Sequence, residues 1–144
     1  MKRNSKIILS AVAVLLIMVA IAGYYMYNKG PVNVKNSNGI QATPDQLYTS
    51  YTTDSIAAHK KFDDKVVKIT GVITDISENT QKQQVVLLKT SSSGGFINCT
   101  MDTYSSVKPG EQVTIKGICN GLGQGDPDLG ILGDVYLTRA VMAD

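Results

Sequence analysis

The sequence contains no tryptophan, one histidine, two cysteines and four prolines in 144 residues. Each shortage removes a class of chemistry. His59, Cys99 and Cys119 cannot supply the nitrogen and sulfur ligands of a zinc centre. No cysteine lies near the end of the apolar N-terminal segment, which excludes a lipid-modified N-terminus there. No histidine–carboxylate pairing is expected, and no serine sits in an activated context. Asp63-Asp64 heads a strand, where neighbouring side chains point to opposite faces and make no acid–base couple. The expectation is a protein that is not an enzyme, with no cofactor and no metal.

Basic charge is scarce outside the N-terminus. The whole chain carries +2, but residues 31–144 hold ten of the fourteen basic residues against all twelve acids, a net of −2. Phosphate neutralisation supplies most non-specific affinity for nucleic acid, so this balance weakens a nucleic-acid role without removing it.

A long uncharged run is present. Lys2, Arg3 and Lys6 precede residues 7–28, "IILSAVAVLLIMVAIAGYYMYN", after which Lys29 restores charge. Twenty-two residues make about 33 Å of helix, enough for a hydrocarbon core of roughly 30 Å. Tyr24, Tyr25 and Tyr27 stand where an aromatic belt meets the headgroups, and the basic end stays inside. Residues 7–27 are therefore expected to anchor the chain in the cytoplasmic membrane as a single pass, with the rest outside. The rival reading is a signal peptide cleaved after Ala22, at the small-x-small site Ala20-Ile21-Ala22, which leaves a secreted domain. Three regions follow: an anchor or signal at 1–29, a flexible linker rich in Asn, Gly and Ser at 30–42, and a folded domain at 43–144. In an oxidising compartment Cys99 and Cys119 are disulfide candidates, closing a loop of about 20 residues that stabilises by roughly 3 kcal/mol. The alternative is two small buried hydrophobes.

The domain opens with "TPDQLYTSYTTDSIAAHKKF". Thr43 reads as an N-cap, Pro44 as the first helical residue, and Gln46 as the partner in a capping box. Leu47, Tyr51, Ala58 and Phe62 share one stripe of a single amphipathic helix, and His59 belongs to a solvated last turn. From Asp64 the period changes to two. "VKITGVI" at 67–73 and "VTIKGIC" at 113–119 repeat one pattern, each with a glycine fifth. The alternation past Gly71 suits Val72, Thr74 and Ile76 only if the glycine adds a residue, which predicts a β-bulge at each glycine. "QQVVLLKT" (83–90), "GFINCTM" (95–101) and "DVYLTRAV" (134–141) complete five short strands. Five antiparallel strands with two glycine corners predict a mainly β, five-stranded OB-fold barrel in which the repeated phrases are the first and fourth strands and pair.

"KFDDKVVKITGVITDI", "VVLLKT", "INCT", "KPGEQVTIKGICNG" and "DVYLTRAV", in this order, resemble the tRNA-anticodon-like (tRNA_anti-like) OB-fold family across about residues 44–142. The resemblance implies a small membrane-anchored or exported bacterial protein and brings no catalytic residues. The family's name records likeness of fold to anticodon-binding domains and implies no demonstrated RNA-binding role. The sequence departs from the family at "NGLGQGDPDLGILG", residues 120–133, where five glycines replace a short turn. The loop between strands four and five helps shape the ligand face of an OB fold, so the insertion is a candidate site.

Gly123 and Gly125 match no phosphate-binding fingerprint. Asp126, Asp128 and Asp134 lack the spacing and the glutamate of a calcium loop, which leaves a flexible, solvated loop as the default. Phe96, Tyr104 and Tyr136, with Lys68, Lys89, Lys116 and Arg139, could form a modest aromatic and basic face. The ligand-binding candidates are Lys89, Phe96, Tyr104, Gly123, Gly125, Asp126, Asp128, Tyr136 and Arg139. The expected function is a membrane-anchored binding or interaction module with an envelope protein or glycan as partner. The alternatives are an OB-fold protein for single-stranded nucleic acid and a structural or stress-related envelope protein without a small ligand.

Overall fold

A computed structural model describes residues 2–28, 30, 32–91 and 95–144. Lys29 and most of the "SSSGG" loop lie outside the described residues. The chain divides into two compact units, Met1–Val32 and Asn33–Asp144. The first holds α1 (Lys2–Tyr27, 26 residues). Within it Ile8–Tyr27 is long and apolar enough to cross a membrane, and none of that span is buried.

The second unit is a closed five-stranded barrel with one added strand. Its elements are β1 (Ile40–Ala42), α2 (Pro44–Thr53), α3 (Ser55–Phe62), β2 (Val66–Glu78), β3 (Gln84–Lys89), β4 (Phe96–Met101), β5 (Gln112–Leu122) and β6 (Val135–Met142). The strands run β2-β3-β4-β6-β5, and β5 pairs back onto β2 to close the barrel. Only β4 and β6 run parallel within the barrel, and β1 adds to β2 in parallel. This is an OB-type barrel.

The repeated phrases pair as expected. Val67 stands opposite Gly117, Ile69 opposite Ile115 and Gly71 opposite Val113, so each phrase is laid against the other in reverse. The expected bulge at Gly71 is not there. Burial alternates straight through Val67, Ile69, Gly71 and Ile73, and the register against β3 shifts only between Ile73 and Asp75. Val72 is therefore left outside, 42% exposed. Gly71 has a packing reason instead: a Cβ there would lie 2.7 Å from Cγ of Pro44, at the start of α2. At Gly117 the register does shift, against β6, between Lys116 and Ile118.

The single expected helix is two. Thr43 caps α2 with both halves of the capping box formed. The helix stops at Asp54, whose carboxylate accepts from Ala57 N–H at 3.0 Å and so starts α3. An aspartate that satisfies a free N–H of the next helix favours a new start over continuation. Both helices plug the barrel through Leu47, Tyr48, Tyr51, Ala58 and Phe62, which join Ile69, Leu88, Ile97, Ile115 and Leu137 in one core. Each fully buried large aliphatic side chain contributes roughly 1.5–3 kcal/mol.

The linker is shorter than expected, because residues 33–42 belong to the domain. Val34 is 5% exposed, β1 pairs with β2, and Lys116 Nζ donates to the carbonyls of Lys35 and Ser37 at 3.3 and 3.2 Å. Of the two readings of the cysteines, the disulfide is corrected. Cys99 and Cys119 are free and buried, and both stand opposite Leu137, one on each side of β6. Two strand spacings separate them by about 10 Å, beyond the roughly 7 Å that a disulfide spans. The alternative reading, two small core hydrophobes, is what the barrel uses.

Candidate functional site

In an OB barrel the ligand face is the outside of the second and third barrel strands, flanked by the loops after strands one and four. Here those strands are β3 and β4. Ile97, Cys99 and Met101 are buried in β4, so Phe96, Asn98 and Thr100 point outward and are half-buried. Across the ladder Lys89 faces Phe96, Leu87 faces Asn98, and Asn98 faces Tyr136 on β6. Asp75 continues that row beyond Leu87. The result is a band of amide, hydroxyl, aromatic and aliphatic groups with two charges, Lys89 and Asp75, at its β2–β3 side.

Of the candidate residues, Lys89, Phe96 and Tyr136 come together on this band. The Tyr136 ring lies over Gly123, where a Cβ would approach Cε2 to 2.5 Å. Arg139 is exposed further along β6, at a bulge where its φ is +51°. Tyr104 is elsewhere. Its hydroxyl donates to the Glu78 carboxylate and lies 3.1 Å from the Lys82 carbonyl, beside the β2–β3 turn. Its hydrogen bond to Glu78 raises the phenol pKa. Lys68 and Lys116 are also off this band: they stand opposite each other on β2 and β5, and Lys68 Nζ donates to the Asp144 carbonyl at 3.2 Å. The basic, aromatic face expected from the sequence is thus split.

The glycine-rich insertion differs most from its expectation. It is an ordered arm whose two legs lie too close for side chains. A Cβ on Gly125 would sit 2.2 Å from the Ile131 carbonyl, and one on Gly133 would sit 1.9 Å from that of Gly123. Gly123 N–H donates to Asp134 at 2.8 Å, and Asp126 and Ile131 exchange two backbone bonds of 2.9 Å. Asp126 Oδ1 accepts from Asp128 N–H at 3.1 Å and Leu129 N–H at 3.3 Å. Asp134 Oδ1 accepts from Phe96 N–H at 3.1 Å. Two of the three aspartates considered for calcium, Asp126 and Asp134, therefore bind the chain's own amides. Among the described residues no three His, Cys, Asp or Glu side chains gather as a metal site. Leu129, Ile131 and Leu132 are exposed at the tip, at 72%, 54% and 46%.

Sequence reasoning missed one cluster. His59 Nδ1 lies 2.5 Å from Asp63 Oδ2, the other carboxylate oxygen accepts from the Tyr51 hydroxyl, and that hydroxyl lies 3.2 Å from Cys119 Sγ. A histidine–carboxylate pair thus exists, contrary to expectation. The i, i+4 spacing of His59 and Asp63 was a usable signal, although nothing in the sequence placed Tyr51 or Cys119 beside it. The cluster suits anchoring better than nucleophilic chemistry. Burial pushes the Cys119 thiol pKa up, although the contact with Tyr51 pulls the other way, and the sulfur is closed to solvent. A reactive cysteine needs the reverse. Burial, and then the bond to Asp63, likewise raise the pKa of Tyr51.

Closed barrel, outer band and arm together define an OB-fold protein. More narrowly, the chain belongs to the tRNA_anti-like family, whose model matches residues 1–129, α1 included. A solved structure from Klebsiella pneumoniae, provisionally described as a nucleic acid-binding lipoprotein, is similar in fold, with a TM-score of 0.50 at 17% identity over 72% of this chain and 92% of that one. A Leishmania major chain provisionally described as an aspartyl-tRNA synthetase matches more weakly, with a TM-score of 0.44 at 8% identity over 85% of this chain and 26% of that one. No curated protein matches the sequence.

Proposed function

We propose that this protein is a non-catalytic binding module, held by α1 as a single pass with its barrel on the exported side. It takes an uncharged ligand, an envelope glycan or an extended protein segment, on the β3–β4–β6 band and the arm. The observation that carries this is charge placement. From residue 117 to residue 138 the chain has Asp126, Asp128 and Asp134 and no lysine or arginine. A phosphate backbone crossing the band meets one cation, Lys89, and then an acidic arm. Phosphate binders instead gather basic residues along the strand's path. Asn98, Thr100 and Tyr136 suit the amides and hydroxyls of a neutral chain, with Phe96 and Leu87 as apolar floor. Lys2, Arg3 and Lys6 before the apolar run support an inside N-terminus.

The description of the Klebsiella relative favours a second reading, binding of single-stranded nucleic acid. One titration separates the two. The full chain in detergent micelles is mixed with labelled single-stranded DNA or RNA at roughly 50 and 200 mM salt, and separately with a neutral N-acetylhexosamine oligosaccharide and an uncharged peptide. The expected result is salt-insensitive binding of a neutral probe that Tyr136→Ala abolishes. Micromolar nucleic-acid binding that collapses at the higher salt overturns the reading.

A further inference from the structure

The two legs of the arm are held from below by one helix. Tyr48 and Tyr51 lie three residues apart on α2, a spacing that places both side chains on one face. Tyr48 is 2% exposed, and its hydroxyl donates to the Gly133 carbonyl at 3.0 Å, at the root of the outgoing leg. Its ring occupies the space a side chain at Gly95 would need, since a Cβ there would lie 2.2 Å from Cζ. Tyr51 reaches β5 below the incoming leg, where its hydroxyl lies 3.2 Å from Sγ of Cys119, three residues before that strand ends. Asp63, which accepts from Tyr51 and contacts His59, stands beside Gly121, where a Cβ would lie 3.3 Å from Oδ1. The root of the outgoing leg and the end of β5 that leads into the incoming leg are therefore tied to the same helical turn.

We propose that Tyr48 and Tyr51 are positioning residues that fix the β5–β6 arm in its presenting conformation, with Asp63 and His59 backing Tyr51. A loop ordered before it meets a partner does not lose that entropy on binding, so the clamp raises affinity without touching ligand. The proposal rests on the arm being the binding element only for its benefit to affinity; the clamp itself is a statement about order. It also explains how a segment with five glycines stays ordered although both its neighbouring strands end at its roots.

The test is amide hydrogen exchange on the full chain in micelles, for wild type, Tyr48→Phe and Tyr51→Phe. Each variant keeps its ring and loses only the hydroxyl. Leaving the Gly133 carbonyl without a partner should speed exchange of the Gly123, Asp126 and Ile131 amides by about tenfold or more. The Val86 and Ile115 amides in the barrel should keep their wild-type rates. Tyr51→Phe should loosen the incoming leg at Gly121–Gly123 first. Unchanged arm protection in both variants overturns the clamp, as does a rise spread evenly over arm and barrel, which would show general destabilisation alone. Should the arm loosen as expected in a protein that binds no neutral probe, the clamp stands and the proposed function falls.

Discussion

The two copies of the repeated phrase, 67–73 on β2 and 113–119 on β5, share a pattern but not the reasons for it. Their second and fourth residues are swapped: Lys68 and Thr70 in one, Thr114 and Lys116 in the other. Laid in reverse, the swap brings like against like. Thr70 and Thr114 hydroxyls meet at 2.8 Å, and Lys68 stands opposite Lys116. Facing lysines repel unless their ammonium groups go elsewhere, and here each leaves for a backbone carbonyl. The shared glycine also divides. Gly71 makes room for a helix start, whereas Gly117 makes room for a crossing strand, with a Cβ 3.1 Å from that of Leu137 and 3.3 Å from that of Ala140. One motif therefore does not imply one constraint.

Substitution should separate the two glycines. Gly71→Ala should cost about 2–3 kcal/mol, because the stiff ring of Pro44 cannot yield without moving α2. Pro44→Ala should recover much of that loss in the double variant, read by chemical denaturation. Gly117→Ala should cost roughly 1–2 kcal/mol, and Pro44→Ala should not relieve it. Equal rescue at both sites would erase the distinction.

The seventh residue of each phrase differs in chemistry. Ile73 ends one and Cys119 the other, and burial raises the pKa of that thiol. In the unfolded chain the thiol loses its proton near its ordinary value of 9.0 while the fold retains it. Above that pH the unfolded state binds fewer protons, so stability falls by up to about 1.4 kcal/mol per pH unit for each such thiol. Below it the contribution is fully present. The fully buried Cys99 adds the same sign. Cys119→Val should make the alkaline fall in stability shallower between roughly pH 9 and 11. An unchanged slope would mean that the thiol is hydrated.

The smallest effect concerns the facing lysines. Lys116→Met should change global stability by less than about 1 kcal/mol, because it removes repulsion as well as two hydrogen bonds. It should nevertheless free residues 33–38, seen as faster proteolysis there. Unaltered proteolysis would show that Val34 alone holds the segment.

Much of the barrel was legible because its determinants are local. Alternation marked the five barrel strands, β3, β4 and β6 to within a residue at each end, and Thr43-Pro44 with Gln46 marked the start of α2, whereas the three-residue β1 was read as linker. What stayed hidden depends on residues far apart in sequence. The bulge falls beside Thr74, not Gly71, because it is set by pairing with β3 and the position of Pro44. Asp54 reads as a helix interior until its side chain is seen on Ala57. The arm's glycines look like slack in a line of text and become tight only when Gly123 and Gly133 meet. The candidate band was half legible: Lys89, Phe96 and Tyr136 share it, but Asn98 needed the register and Tyr104 is held at another loop.

The position of β6 has a bearing on how the barrel is made. It is the last strand in chain order, yet it lies between β4 and β5. Until it arrives, those two strands present open edges to each other across a gap one strand wide. Closure thus waits for the far end of the chain, and almost every native pairing that seals the barrel is long-range, which predicts slow, all-or-none folding. With its N-terminus held back, a chain that crosses a membrane in sequence order would remain unsealed until residues 135–142 had crossed. A barrel that cannot close early cannot jam such a passage.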